Sequence, residues 1–196
     1  VIEPFAGASY AAKRGDLKPQ DKLLITGAGP VGLSILLAAK AIGVQTIYMT
    51  EISDIRTKKA EEMGATAVFN PLELKVPAKI RELTDNKGVD IAIEAVGLGE
   101  SLKDCLASTR YRGRVVVHGI FTERVPIHML GFVTQEVTMV GSNNIDLEQA
   151  LQWLYSGDIQ LESVVSRIIP LDEIATNGFD ALTTPGTQDI KILVAP

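Results

Sequence analysis

The stretch "ITGAGPVGLSILLAAKAIG", residues 25–43, decides the fold. A short apolar run, Leu23-Leu24-Ile25, ends at Gly27, and the segment from Pro30 to Ile42 is apolar on almost every side. A helix of that kind is buried between a sheet and its neighbours. Between them, Gly27-Ala28-Gly29-Pro30-Val31-Gly32 fits the pattern GxGxxG. Alone the pattern is weak, because glycine turns between strand and helix are common. Its context strengthens it. A strand precedes it, a helix follows, and the next strand-like run, "QTIYMTE" (45–51), ends at Glu51, 19 positions after Gly32.

Each part of that arrangement has a physical task. Gly27 permits the tight turn, Gly29 lets the backbone approach a pyrophosphate, and Gly32 lets helix and strand pack closely. The helix N-terminus presents unpaired N–H groups to an anion. Pro30 loses nothing there by lacking one. The Glu51 carboxylate would accept hydrogen bonds from ribose hydroxyls and repel a 2′-phosphate. The turn therefore predicts a dinucleotide site that prefers NAD to NADP. The competing reading is a plain glycine turn with Glu51 as a solvated strand end.

Further strands follow outward from this turn: "TAVFN" closed by Pro71, "VDIAIEAVG" (89–97), "GRVVVHGI" (113–120) and "EVTMVGS" (136–142). Helical stretches lie between them, among them "DIRTKKAEEMG" (54–64), where Lys58 and Glu62 are spaced for an i,i+4 pair. Another, "FAGASYAAKRG", precedes the first strand, with Pro4 in its first turn. Six strands alternating with helices or long crossovers predict an α/β fold, a doubly wound parallel sheet in the order 3-2-1-4-5-6. Several strands meet a glycine, at Gly27, Gly97, Gly119 and Gly141. Ligands of such sheets bind at the carboxyl ends of strands, where bulky side chains would intrude. Residues 1–145 are expected to form this domain. Residues 146–196 read as two helices and two strands that complete it and form a hinge to a catalytic domain this chain lacks.

At 196 residues, with 46% hydrophobic and 22% charged residues, the chain has the composition of an ordinary globular protein. A net charge of −5 and the lack of a basic run with interleaved aromatics argue against nucleic acid as a partner. The longest apolar stretch, Val31 to Ala39, is too short to span a bilayer. Cys105 is the sole cysteine, which excludes an intrachain disulfide and suits a reducing, cytoplasmic setting. The opening "VIEPF" reads as mid-chain, so a fragment cut at a domain junction is expected.

The phrases "EP" at 3, "GAGPVGL", "TEISDIR", "EMGATAVFNP", "GVDIAIEAVG", "GRVVVHGIF", "QEVTMVGS", "SGDI" and "KILVAP" occur in one order along essentially the whole chain. In them the sequence resembles the coenzyme domain and C-terminal tail of medium-chain, zinc-dependent alcohol and polyol dehydrogenases. It is most similar to the sorbitol and 2,3-butanediol branch. The resemblance implies an NAD-dependent oxidoreductase acting on a small secondary alcohol, diol or polyol. It implies that Arg56 lies near the adenine and that Val96 and Gly97 touch the coenzyme. Gly119, Ile120, Ser142 and Asn143 would then lie toward the nicotinamide, and Lys191 near the pyrophosphate. Each has a bland counterpart: Val96 as core, Arg56 and Lys191 as solvated charges.

The resemblance also implies a catalytic zinc whose Cys and His ligands belong to a preceding domain. Only Glu3, of the "EP" phrase, corresponds to a residue that reaches that zinc, and as a helix N-cap carboxylate it needs no metal. No catalytic residue is assigned within this chain, and the fragment is expected to hold no zinc. His118 and His128 lack ligand spacing and read as wall or structural residues, and Cys105 as a small core residue. Two other functions fit less of the sequence: a stand-alone NAD(H)-sensing or structural module, and a methyltransferase-like protein using S-adenosylmethionine. Sorbitol and threonine also remain open as substrates. The apolar segment 125–141 is expected to pair two subunits into a homo-oligomer.

Overall fold

The computed structural model describes residues 1–184 and 186–196. Its centre is a six-stranded sheet in the order β3-β2-β1-β4-β5-β6, with every neighbouring pair parallel. The strands are β1 (Lys22–Thr26), β2 (Thr46–Thr50), β3 (Ala67–Phe69), β4 (Val89–Glu94), β5 (Thr109–Val117) and β6 (Thr138–Gly141). The expected strand order is the observed one.

Both faces of the sheet are covered, which is why its strands are near-continuous apolar runs. Leu23 and Ile25 of β1 face one core, packed under α1 (Ile2–Gly15) and α2 (Pro30–Ile42). Leu24, one residue between them, faces the other, with Val76 and Ile80 of α4 (Val76–Leu83) and Leu102 and Cys105 of α5 (Gly99–Ser108). Five α2 residues, Leu33, Ile35, Leu36, Ala38 and Ala39, are fully buried. Each large aliphatic among them stabilises the fold by about 1.5–3 kcal/mol. The left-handed Gly43 ends α2 and donates its N–H to Lys40 O.

The remaining helices differ in detail from expectation. Helix α1 begins at Ile2 with Val1 as its N-cap, so Glu3 lies inside the first turn rather than at the cap. Helix α3 (Asp54–Glu62) pairs Lys59 with Glu62 at 3.8 Å instead of Lys58 with Glu62, an i,i+3 contact between a partly buried lysine and an exposed glutamate. The expected plain crossover contains α6 (Met129–Gln135), followed after β6 by α7 (Leu147–Ser156). The segment 167–195 holds β7 (Arg167–Pro170), a π-type turn over Ile174–Asp180, the short α8 (Ala181–Thr183) and β8 (Ile192–Ala195). β7 and β8 pair parallel in a two-stranded sheet of their own. Arg167 braces that sheet with a forked contact to Asp189 at 2.8–3.1 Å and a bond to Asn177 O.

Candidate functional site

The register brings six strand ends to one level. Thr26 lies opposite Thr50 on one side and Glu94 on the other; Thr50 faces Phe69, Glu94 faces Val117, and Val117 faces Gly141. Strands β1 to β3 are laid down in one direction across the sheet and β4 to β6 in the other, and the crevice at the carboxyl ends opens at that switch between β1 and β4.

The glycine turn forms one wall. Gly27 has φ +83° and its N–H reaches Thr50 O at 2.8 Å, which tucks the turn onto β2. A Cβ on Gly32 would collide with Gly27 O and approach Gly27 C to 2.9 Å, so helix and strand meet at a distance only glycine allows. Pro30 opens α2 with Gly29 as an extended N-cap, and no side chain caps the helix N-terminus with a hydrogen bond. Val31 follows it, partly buried against the core.

Glu51 closes the second wall. Its side chain is nearly enclosed, with 7% of the residue exposed, and its oxygens are organised by backbone amides. Oε2 accepts from Ala28 N at 2.9 Å; Oε1 accepts from Ile52 N at 2.8 Å and Ser53 N at 3.0 Å. A carboxylate fixed by three N–H donors keeps further lone pairs for a hydroxyl-bearing ligand.

Gly27, Gly29, Glu51, Arg56 and Val96 all line one cavity of about 1040 Å³, which continues between α4 and α5. Arg56 reaches back over the turn, its guanidinium 3.9 Å from where a Gly29 Cβ would stand. Asp104 of α5 lies on the outer wall, its carboxyl raised by burial and then by neighbouring Glu100. Gly97 and Gly119 touch one another just beyond: a Cβ on Gly119 would strike Gly97 N, and one on Gly97 would strike Ile120 O. Ile120 itself is 82% exposed.

The other expected site residues stand off this cavity. Ser142 is buried beside His118, whose Nδ1 lies 3.1 Å from Ser142 O and 3.2 Å from its Oγ. Burial lowers the His118 pKa, partly offset by Ser142 and by Glu94. His118 is thus a wall residue with a partner. Asn143 is exposed, and Lys191 precedes β8, its carbonyl accepting Ser166 N–H at 2.8 Å. Glu3 is exposed, and among the described residues no group of three or more His, Cys, Asp or Glu is placed to hold a metal. The residues present do not fit a zinc ion. Burial pushes the Cys105 thiol far up, which makes it inert.

Glu94 went unremarked in the sequence reading. It ends β4, is completely buried, and its Oε1 accepts from Val96 N, Gly97 N and Ser101 Oγ. The available signal was an acid inside the apolar run "VDIAIEAVG", where a charge is costly without partners.

Strand order, switch point and glycine turn define a Rossmann-like α/β domain. The chain belongs to the zinc-binding dehydrogenase family, whose model matches residues 30–156. It is 36% identical over 199 residues to (R,R)-butanediol dehydrogenase of Bacillus subtilis, covering 100% of this chain and 57% of that protein. It is 32% identical over 206 residues to sorbitol dehydrogenase of Bacillus subtilis, covering 100% and 56%. The crystal structure of 2R,3R-butanediol dehydrogenase from Bacillus subtilis superposes with TM-score 0.92 at 35% identity, over 100% of this chain and 56% of the other. A solved chain from Sinorhizobium meliloti 1021 bound to NADP superposes with TM-score 0.88 at 26% identity, over 100% and 58%. The chain spans about half the length of the curated relatives it matches.

Proposed function

We propose that this chain is the NAD-binding part of an oxidoreductase that moves hydride between NAD and a small secondary alcohol, diol or polyol. The carrying observation is the carboxylate of Glu51, enclosed and held by the same turn that exposes the α2 N-terminus. An acid there favours ribose hydroxyls over a 2′-phosphate, so NAD is preferred to NADP. In this reading Gly27, Gly29, Pro30, Val31 and Gly32 take the pyrophosphate with help from Lys191, and Arg56 lies along the adenine. Val96, Gly97, Gly119, Ile120, Ser142 and Asn143 line the route to the nicotinamide. The coenzyme, when bound, accepts a hydride; the chain's own residues bind and orient it.

The butanediol and sorbitol relatives support a diol or polyol as substrate. Zinc would be held by residues in the length of those relatives that this chain does not span, with Glu3 as this chain's contribution. Residues 1–145 act as the coenzyme domain and 146–196 as its completion and hinge. Segment 125–141 pairs two copies; its exposed Met129, Leu130 and Val133 and the open edge of β6 give that pairing a physical motive. A cytoplasmic setting suits the lone buried thiol. Among the described residues no helix is long and apolar enough to cross a membrane.

The test is calorimetric titration of this chain with NADH, NADPH and S-adenosylmethionine. NADH should bind best and S-adenosylmethionine not at all. Equal affinity for NADH and NADPH would remove the role of Glu51, and preference for S-adenosylmethionine would remove the dehydrogenase reading. Butane-2,3-diol oxidation should be undetectable with residues 1–196 alone, and robust turnover would contradict the division of labour.

A further inference from the structure

We propose that the buried carboxylate of Glu94 is an electrostatic positioning group that makes this site hold the oxidised, cationic nicotinamide more tightly than it otherwise would. The inference rests on the coenzyme reading above, in which the nicotinamide lies toward Gly119 and Ile120.

Three features of Glu94 carry it. Its place is the first. Glu94 ends β4 at the switch-point side of the sheet, and its backbone oxygen accepts both His118 N–H and Gly119 N–H at 2.9 Å. Its side chain binds the opposite loop, with Oε1 taking Val96 N and Gly97 N at 2.9 Å and Ser101 Oγ at 2.6 Å. One residue therefore ties the loops after β4 and β5 together.

The second feature is an excess of capability over structural need. Oε2 is buried and has no hydrogen-bond partner. A hydroxyl or amide would satisfy the three donors on Oε1, yet a whole carboxylate is kept. Oε1 accepts all three of these hydrogen bonds, while the equally buried Oε2 accepts none and stays available to act at a distance. Burying such a charge is costly unless something repays it.

The third feature is where the free oxygen points. A Cβ added to Gly119 would strike Oε2, so only a glycine backbone separates that oxygen from the strand end at Gly119 and Ile120. His118, the neighbouring titratable group, is favoured neutral by burial and leaves the charge uncompensated above its pKa. NAD⁺ carries a positive nicotinamide ring and NADH a neutral one, while their other parts are shared. A fixed negative charge behind the backbone that lines the ring's site shifts the ratio of the two affinities on the order of tenfold.

The experiment measures dissociation constants of NAD⁺ and NADH on each protein sample at pH 7.5. In Glu94→Gln, which keeps an acceptor for Oε1's donors, NAD⁺ should weaken roughly tenfold more than NADH. Ser101→Ala removes one hydrogen bond and keeps the charge, so its ratio should match the unmodified chain. Partial unfolding weakens both ligands by one factor and cancels in the ratio. Should the Gln variant not fold at all, Glu94→Asn, a shorter amide, removes the same charge, and NAD⁺ should again lose more than NADH. An unchanged ratio in Glu94→Gln, or in Glu94→Asn when it stands in, overturns the inference, as does a shifted ratio in Ser101→Ala. Failure of the unmodified chain to bind either form would instead remove the coenzyme reading, and the inference with it.

Discussion

Glu51 Oε2 accepts the amide of Ala28 at 2.9 Å, across 23 residues of chain, so the acid at the end of β2 is oriented by the turn that follows β1. The two halves of the candidate nucleotide site are thereby one hydrogen-bonded unit, and damage to either should be felt at the other.

Glu51→Gln tests that unit. The amide keeps one acceptor oxygen but replaces the other with a donor, facing the Ala28 or the Ile52 and Ser53 N–H groups. Loss of charge should narrow the NADH-over-NADPH preference by roughly tenfold, about 1.4 kcal/mol. Parallel fluorescence titrations with both coenzymes measure it, and an unaltered preference would separate Glu51 from coenzyme choice.

Two glycine substitutions should part company. Gly32→Ala places a methyl group against Gly27 O and should destabilise the fold by about 1–3 kcal/mol or more. Gly141→Ala meets nothing within 4 Å and should change stability by less than about 0.5 kcal/mol. Urea denaturation of the two variants gives both values.

The pH dependence of stability has a His118 component. Burial places its folded pKa below the ordinary 6.5, so the unfolded chain binds the proton more readily. Stability from this group is therefore full above 6.5 and is lost as pH falls from 6.5 toward the folded value. His118→Asn should flatten that part of the curve. The losses from Asp146 and Glu136, whose carboxyls are held low by hydrogen bonds from Lys13 and Tyr111, belong to more acidic solution, below their ordinary 3.8 and 4.5.

Cys105 should behave as a reporter of opening. The thiol is completely buried and pushed toward its protonated form by desolvation and by Glu94. Iodoacetamide at pH 8 should leave the native chain unlabelled by mass spectrometry and label it fully in denaturant. Rapid native labelling would contradict the packing of α5 on the sheet.

Self-association should depend on the open edge of β6. Met139, 39% exposed on that edge, offers apolar surface, and Met139→Lys should weaken association at least tenfold in sedimentation equilibrium. A monomeric unmodified chain at high concentration would remove the proposed pairing.

The sheet was legible because its strands are apolar, β-branched runs and the crossovers between β1 and β5 carry helical periodicity. The turn at Gly27 was legible because close packing demands glycine at fixed spacing. Other features depend on tertiary context. β5 begins at Thr109 rather than at Gly113, through a stretch where Arg112 has φ +56° and the β4 register slips between Val89 and Ile91. Nothing in "TRYRGR" announces that irregularity. α6 hides in "MLGFVTQ", whose internal glycine and seven-residue length suppress a helical signal. The cavity's continuation between α4 and α5 depends on how two helices sit on one face, which spacing along the chain does not encode.

The helix that opens the chain is fastened to one near residue 150. Lys13 pairs with Asp146 at 2.8 Å, Asp146 N–H reaches Ala6 O at 2.9 Å, and Phe5 meets Trp153 edge to face. These contacts span 133 residues in the Lys13–Asp146 case. During synthesis, every strand of the six-stranded sheet emerges before the partner of α1 does. A nascent chain stalled there would carry a complete sheet with one flank of α1 unclad. Docking of α7 is thus a late closing event, and ribosome-bound intermediates that end between β6 and α7 are where chaperones would find apolar surface to hold.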